Sequence, residues 1–104
     1  MRRMLILSCV ALVWAFPVAA SDRTDHETAR ALQQAGEIQP LSSLLMEVER
    51  RWIGRVVEVE LEQKRGRWVY EFTLLPPSGR VFEIYLDART GDVVKTEGPV
   101  QERR

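Results

Sequence analysis

At 104 residues, 45% apolar and 29% charged, the chain has material for one small domain and too little for two, which excludes a large enzyme. Its 15 Lys and Arg are balanced by 15 Asp and Glu. A nucleic-acid binder of this size carries a strong basic excess, and none is present.

Arg2 and Arg3 precede an apolar run from Leu5 to Phe16, broken only by Ser8 and Cys9, that ends in Pro17-Val18-Ala19-Ala20. This is the anatomy of a secretory signal peptide, and the small Val18 and Ala20 suit the positions that signal peptidase requires, so cleavage is expected after Ala20. A membrane anchor needs about 20 apolar residues. The run is shorter and stops at a proline, so no stable membrane insertion is expected once the leader, 1–20, is removed. The remaining 84 residues hold 13 basic and 15 acidic side chains, a net charge of −2. Cys9 leaves with the leader, and a cysteine-free periplasmic or secreted protein must be stabilised by packing alone.

Thr24 and Glu27 have the spacing of a capping box, which places a helix start within a segment, 21–28, that is otherwise flexible. The helix carries Ala29, Ala31, Leu32 and Ala35 and meets Gly36, a residue suited to the left-handed conformation after a last turn. Its apolar stripe is thin, so weak docking is expected. Leu41, Leu44, Leu45, Val48 and Trp52 fall on one side of a second helix. Pro40 suits its first position, or Ser42 caps it with Leu41 and Met46 as a hydrophobic staple, and Gly54 closes it.

After Gly54 the period changes from helical to alternating. Val57, Val59 and Leu61 face one way and Glu58, Glu60 and Glu62 the other. Trp68, Tyr70, Phe72 and Leu74 alternate with Val69, Glu71 and Thr73, and Phe82, Ile84 and Leu86 alternate with Val81, Glu83 and Tyr85. Cross-strand partners must share a face, so parity sets the loops. A two-residue Arg65-Gly66 turn places Lys64 opposite Arg67, Leu61 opposite Tyr70 and Val59 opposite Phe72. A three-residue Pro77-Ser78-Gly79 turn places Leu74 opposite Phe82 and Phe72 opposite Ile84. Asp87 to Asp92 forms a last tight turn into a short strand, Val93-Val94-Lys95, with Asp87 accepting from turn amides. Residues 98–104 read as a disordered tail.

The expected fold is α+β: one amphipathic helix on one face of a three- to four-stranded antiparallel β-meander, with an additional weak N-terminal helix. The inward face comprises Val57, Val59, Leu61, Trp68, Tyr70, Phe72, Leu74, Phe82, Ile84 and Leu86.

The series Ala35-Gly36-Glu37-Ile38 with Pro40-Leu41, Gly54-Arg55-Val56-Val57-Glu58-Val59-Glu60-Leu61, Gly66-Arg67-Trp68-Val69-Tyr70-Glu71 and Asp87-Ala88-Arg89-Thr90-Gly91-Asp92-Val93 resembles the PepSY domain family. The Trp-x-Tyr strand and the Asp-Ala-x-Thr-Gly turn occur in order, and residues 29–97 are read as the PepSY-like domain. The resemblance implies an exported bacterial module, of a kind found in propeptides of thermolysin-like metallopeptidases, in membrane-anchored proteins and as small periplasmic proteins. It implies restraint or regulation of a separate envelope or secreted protein, a peptidase or a sensor. The family shares no catalytic motif, so no active-site residue is transferred.

The residues themselves offer no enzyme. His26 is the single histidine and has no cysteine partner after cleavage, which removes zinc sites and nucleophilic triads. Ser42, Ser43 and Ser78 read as cap and turn residues with no base to activate them. Asp87 and Asp92 lack the ligand spacing of a calcium loop. No catalytic residue, cofactor or metal is assigned.

The outward face is the informative one. Glu58, Glu60, Glu62, Glu71, Glu83 and Asp87 gather there with Val69, Val81 and Tyr85, and Glu60 stands opposite Glu71. One reading is an ordinary solvated face relieved by Arg55, Arg67 and Arg80. The other is a docking face for a basic protein surface, with Glu58, Glu60, Glu71 and Glu83 as the charges and Tyr85 as an aromatic anchor. Addition of a partner strand to a sheet edge is a third possibility. The expected function is a non-catalytic binding module that regulates or inhibits another exported protein. The alternative is an envelope structural or ligand-sensing protein without a peptidase connection.

Overall fold

The computed structural model describes the backbone from Ala20 to Arg104 and side chains from His26 onward. The expected leader lies outside the described residues except for Ala20. Two helices, α1 (Ala20–Gln34) and α2 (Leu41–Arg51), precede four strands: β1 (Arg55–Lys64), β2 (Arg67–Leu75), β3 (Phe82–Asp87) and β4 (Val93–Glu97). The strands form one antiparallel meander in the order β1-β2-β3-β4, an α+β fold.

Helical backbone is already present at Ala20, upstream of the expected start at Thr24. A Thr-x-x-Glu spacing also fits two residues one turn apart inside a helix, so it does not by itself mark an end. The other end follows expectation. Gly36 sits at φ 73°, its N–H donates to the Gln33 carbonyl at 3.1 Å, and the Glu37 N–H donates to the Leu32 carbonyl at 2.9 Å. These two bonds form a Schellman motif that satisfies carbonyls left open by the last turn. Ala29 and Leu32 are the α1 residues that pack on the core, in keeping with a thin stripe.

Pro40 is the N-cap of α2, and its carbonyl accepts from the Ser43 and Leu44 amides. Proline loses nothing there, because the first amides of a helix have no internal partner. Ser42 lies inside the first turn, and Met46 is 71% exposed, so neither the serine cap nor the staple forms. The helix stops at Arg51, before Gly54, because Trp52 turns to extended backbone at φ −115° and ψ 154°. Leu44, Val48 and Trp52 are buried against Tyr70, Phe72, Leu74, Phe82, Ile84 and Leu86, and Leu41 and Leu45 pack partly against the same core.

All five cross-strand pairs set by parity are present: Lys64 with Arg67, Leu61 with Tyr70, Val59 with Phe72, Leu74 with Phe82, and Phe72 with Ile84. Arg65 and Gly66 have φ of 52° and 77°, the double left-handed turn that matches strand twist. The next connection is wider than the expected three residues, running from Pro76 to Val81 between the strand ends. Prolines at 76 and 77 cannot donate to a ladder, so pairing stops early. The tight turn survives within it, with the Gly79 N–H donating to the Pro76 carbonyl at 2.9 Å.

Val57 corrects the expected inward face. The β1–β2 register shifts between Val56 and Glu58, so Val57 is the extra residue of a β-bulge. It is 48% exposed, while Val56 pairs with Leu74 and packs against the core. A second shift, between Tyr85 and Leu86, leaves Val94 as the extra residue on β4, also exposed.

The segment expected to fray folds back on the molecule. The Ile53 N–H donates to the Gln101 carbonyl and the Arg103 N–H to the Arg51 carbonyl, both at 2.8 Å, and Trp52 bridges to Glu102. Val100 packs against the core, and the Arg103 side chain donates to the Glu49 carbonyl. This strap closes the backbone left open where α2 ends.

Candidate functional site

The outer sheet face is built from strand register. One row across the sheet reads Glu60, Glu71, Tyr85, Lys95, and the next reads Glu58, Thr73, Glu83, Glu97. Glu62, Val69 and Asp87 follow, and Lys64 with Arg67 close the end near the Arg65-Gly66 turn. The face is therefore acidic in its middle and basic at that end. A hollow of about 460 Å³ at the basic end is lined by Lys64, Arg65, Arg67, Val69, Tyr85, Val94 and Lys95.

Tyr85 is the pivot of the acidic part. Its hydroxyl lies 3.0 Å from a Glu71 oxygen, 3.0 Å from a Glu83 oxygen and 3.3 Å from a Glu97 oxygen. Lys64 and Lys95 each place Nζ 5.1 Å from the ring centroid, and their stems help to keep the residue only 6% exposed. Lys95 is paired with Glu97, and Lys64 with Glu62 at 3.2 Å. The expected role of Tyr85 as a projecting anchor does not suit this burial. The ring is already covered, and it offers a fixed hydroxyl to the surrounding carboxylates instead.

The electrostatics follow the geometry. Burial is the main cause that raises the Glu71 carboxyl to about 7, with Glu83, Glu62 and Glu60 adding repulsion and the Tyr85 hydroxyl acting the other way. Glu60 is also raised, chiefly by its hydrogen bond with Glu58. Burial and the hydrogen bonds to Glu83 and Glu71 push Tyr85 far above the ordinary phenol range, so it remains a donor. Lys95 lowers Glu97 through its hydrogen bond.

Glu58, Glu60, Glu71 and Glu83 share the face with Tyr85, as the alternation requires. Asp87 is drawn into the turn it was expected to hold: its Oδ1 accepts from the Arg89 and Thr90 amides at 2.8 and 3.1 Å, and its Oδ2 pairs with Arg67 at 3.4 Å. Sequence reasoning missed Glu97. The expected last strand stopped at Lys95, although the alternation Lys95, Thr96, Glu97 carries the signal that could have extended it. His26 is exposed on α1. Glu60, Glu62 and Glu71 each place a carboxylate oxygen within 4.8 Å of the others, and Lys64 is paired with Glu62.

Residues 53–97 match the family described as "PepSY: Peptidase propeptide and YPEB domain". The match covers all four strands, whereas the span expected from sequence, 29–97, reaches back across α2. No curated protein and no solved structure matches the chain. PepSY domains are in general propeptide or regulatory modules that interact with peptidases or other proteins, and they occur in exported proteins. Among the described residues no helix is long and apolar enough to cross a membrane. The four-stranded sheet that carries the carboxylates is thus the part of the molecule that matches the PepSY domain, over residues 53–97.

Proposed function

We propose that this chain is a non-catalytic binding module that regulates or inhibits another exported protein, a peptidase first and a sensor second, and that it docks through the outer face of its sheet. One observation carries the docking face: six carboxylates, from Glu58, Glu60, Glu62, Glu71, Glu83 and Glu97, lie on four adjacent strands, with Lys64 and Lys95 among them and Arg67 at the end of the face. Opposed like charges on neighbouring strands cost a few tenths of a kcal/mol. A protein surface rich in Lys and Arg would relieve that cost, speed encounter and fix orientation. The family match supports a regulatory partner, and the leader-like segment supports action outside the cytoplasm.

The reading is tested by adding the purified chain to secreted metallopeptidases and measuring substrate hydrolysis. Inhibition of at least one enzyme that weakens by about tenfold in Glu58→Lys/Glu60→Lys is the expected result, the size typical of losing close charge pairs. These two residues are exposed on an edge strand, so the fold should survive the change. Inhibition unchanged in the variant removes the face from the reading, and no inhibition of any peptidase removes the peptidase.

A further inference from the structure

We propose that the carboxylates around the Tyr85 hydroxyl act as a proton-operated gate: the cluster takes up a proton as the surroundings acidify, and the acidic face then loses its hold on a basic partner. This rests on the docking face proposed above and adds its regulation.

The geometry demands a shared proton. A phenol has one hydrogen to donate, yet three carboxylate oxygens, from Glu71, Glu83 and Glu97, lie within 3.3 Å of the Tyr85 oxygen. If all three carboxylates are ionised, one accepts the hydrogen and the other two face lone pairs on the same oxygen. One added proton removes one of these two conflicts, because a neutral carboxyl can donate to the phenol oxygen while the phenol donates to a second carboxylate, and it leaves Glu97, the farthest at 3.3 Å, to its pairing with Lys95.

Glu71 is best placed to take the proton. From β1 it faces Glu60 directly, with Glu58, Glu62 and Lys64 alongside, and from β3 it faces Glu83 and Tyr85. From β4 come Lys95 and Glu97, whose charges are committed to each other. Lys64 is likewise committed to Glu62. Glu71 thus sits half-buried among carboxylates whose nearest cations are already paired, and its raised proton affinity, with a midpoint of about 7, accords with that setting. Protonation removes one negative charge from the middle of the face and fixes the hydrogen bonds of the hydroxyl, so a basic partner meets a weaker field.

Two measurements on the purified chain separate the gate from the docking reading. Carboxyl-carbon NMR follows Glu71 from about pH 5 to about pH 8.5, a range that spans ordinary and raised carboxylates. Calorimetry follows a lysine-rich peptide used as the basic probe over the same range. The expected result is a Glu71 midpoint near 7, with probe affinity lower by about threefold or more at the acid end, the scale of one lost charge contact near a protein surface. Glu71→Gln, isosteric with the protonated side chain, should hold affinity at the low value throughout. A Glu71 midpoint in the ordinary carboxylate range overturns the gate. Probe affinity that is measurable but independent of pH also overturns it and leaves the docking face standing. A raised midpoint with no probe binding at any pH overturns the docking face, and the gate with it.

Discussion

Glu60 and Glu71 stand directly opposite each other on β1 and β2, and Glu71 also holds the Tyr85 hydroxyl at 3.0 Å. An antiparallel sheet selected only for stability would place opposite charges at such a pair. Here the sheet keeps carboxylates on both sides and covers the neighbouring tyrosine with lysine stems.

That arrangement predicts stability that falls as pH rises. The Glu71 carboxyl binds its proton more tightly in the folded chain, at about 7, than at its ordinary 4.5. Its contribution is therefore complete below the ordinary value and is lost as pH rises through about 7. Glu47 and Glu97 are lowered instead, so their contributions fade only below the ordinary carboxylate range, while the raised Glu60 adds to the loss in the same direction as Glu71. Unfolding free energy from urea titration should drop by about 1 kcal/mol between about pH 5 and about pH 8, the full shift being discounted because the carboxylate is only half-buried. In Glu71→Gln most of the drop should vanish, the remainder belonging to Glu60. An unchanged drop in that variant would assign it to another group.

Phe72→Ala should cost about 3–5 kcal/mol, since the ring is fully buried at the centre of the sheet and a cavity would replace it. Chemical denaturation measures this directly, and a loss below about 1 kcal/mol would misplace the core.

Gly54→Ala should destabilise by about 1–3 kcal/mol, because two costs coincide at this residue. Its φ of 148° is one that side chains avoid, and a Cβ there would lie 3.2 Å from both the Leu74 Cβ and the Pro76 nitrogen. A melting temperature equal to wild type would contradict the close approach of these segments.

Removal of residues 98–104 should cost about 1–3 kcal/mol, the scale of several lost backbone hydrogen bonds and one partly buried valine. It also uncovers Trp52, so tryptophan emission should shift to the red. A truncated chain with the same emission and the same melt would show that the strap contributes nothing.

Strand pairing was legible in sequence because parity leaves little freedom: Leu61 must meet Tyr70, and Phe72 must meet Ile84, once apolar residues share a face. The bulges were not legible. Val57 follows Val56 and Val94 follows Val93, so shifting the alternation by one residue leaves the apolar pattern unchanged. The strap was hidden for a different reason. Gly98-Pro99-Val100 followed by Gln101-Glu102-Arg103-Arg104 reads as a tail with a single apolar side chain, and its partners at Arg51 and Ile53 are set only by the fold. The shared face of Glu58, Glu60, Glu71, Glu83 and Tyr85 could be read from alternation. The covering of Tyr85 could not, because it depends on where the Lys64 and Lys95 stems lie.

Site-specific photo-crosslinking in cells tests the docking face most directly. A crosslinker replaces Glu60 on the outer face or Met46, which is 71% exposed on α2. The docking face predicts crosslinks from position 60 to a Lys- and Arg-rich peptide of one exported protein, reduced when Glu58 is changed to Lys. Crosslinks to that protein from position 46 with none from position 60 would contradict it.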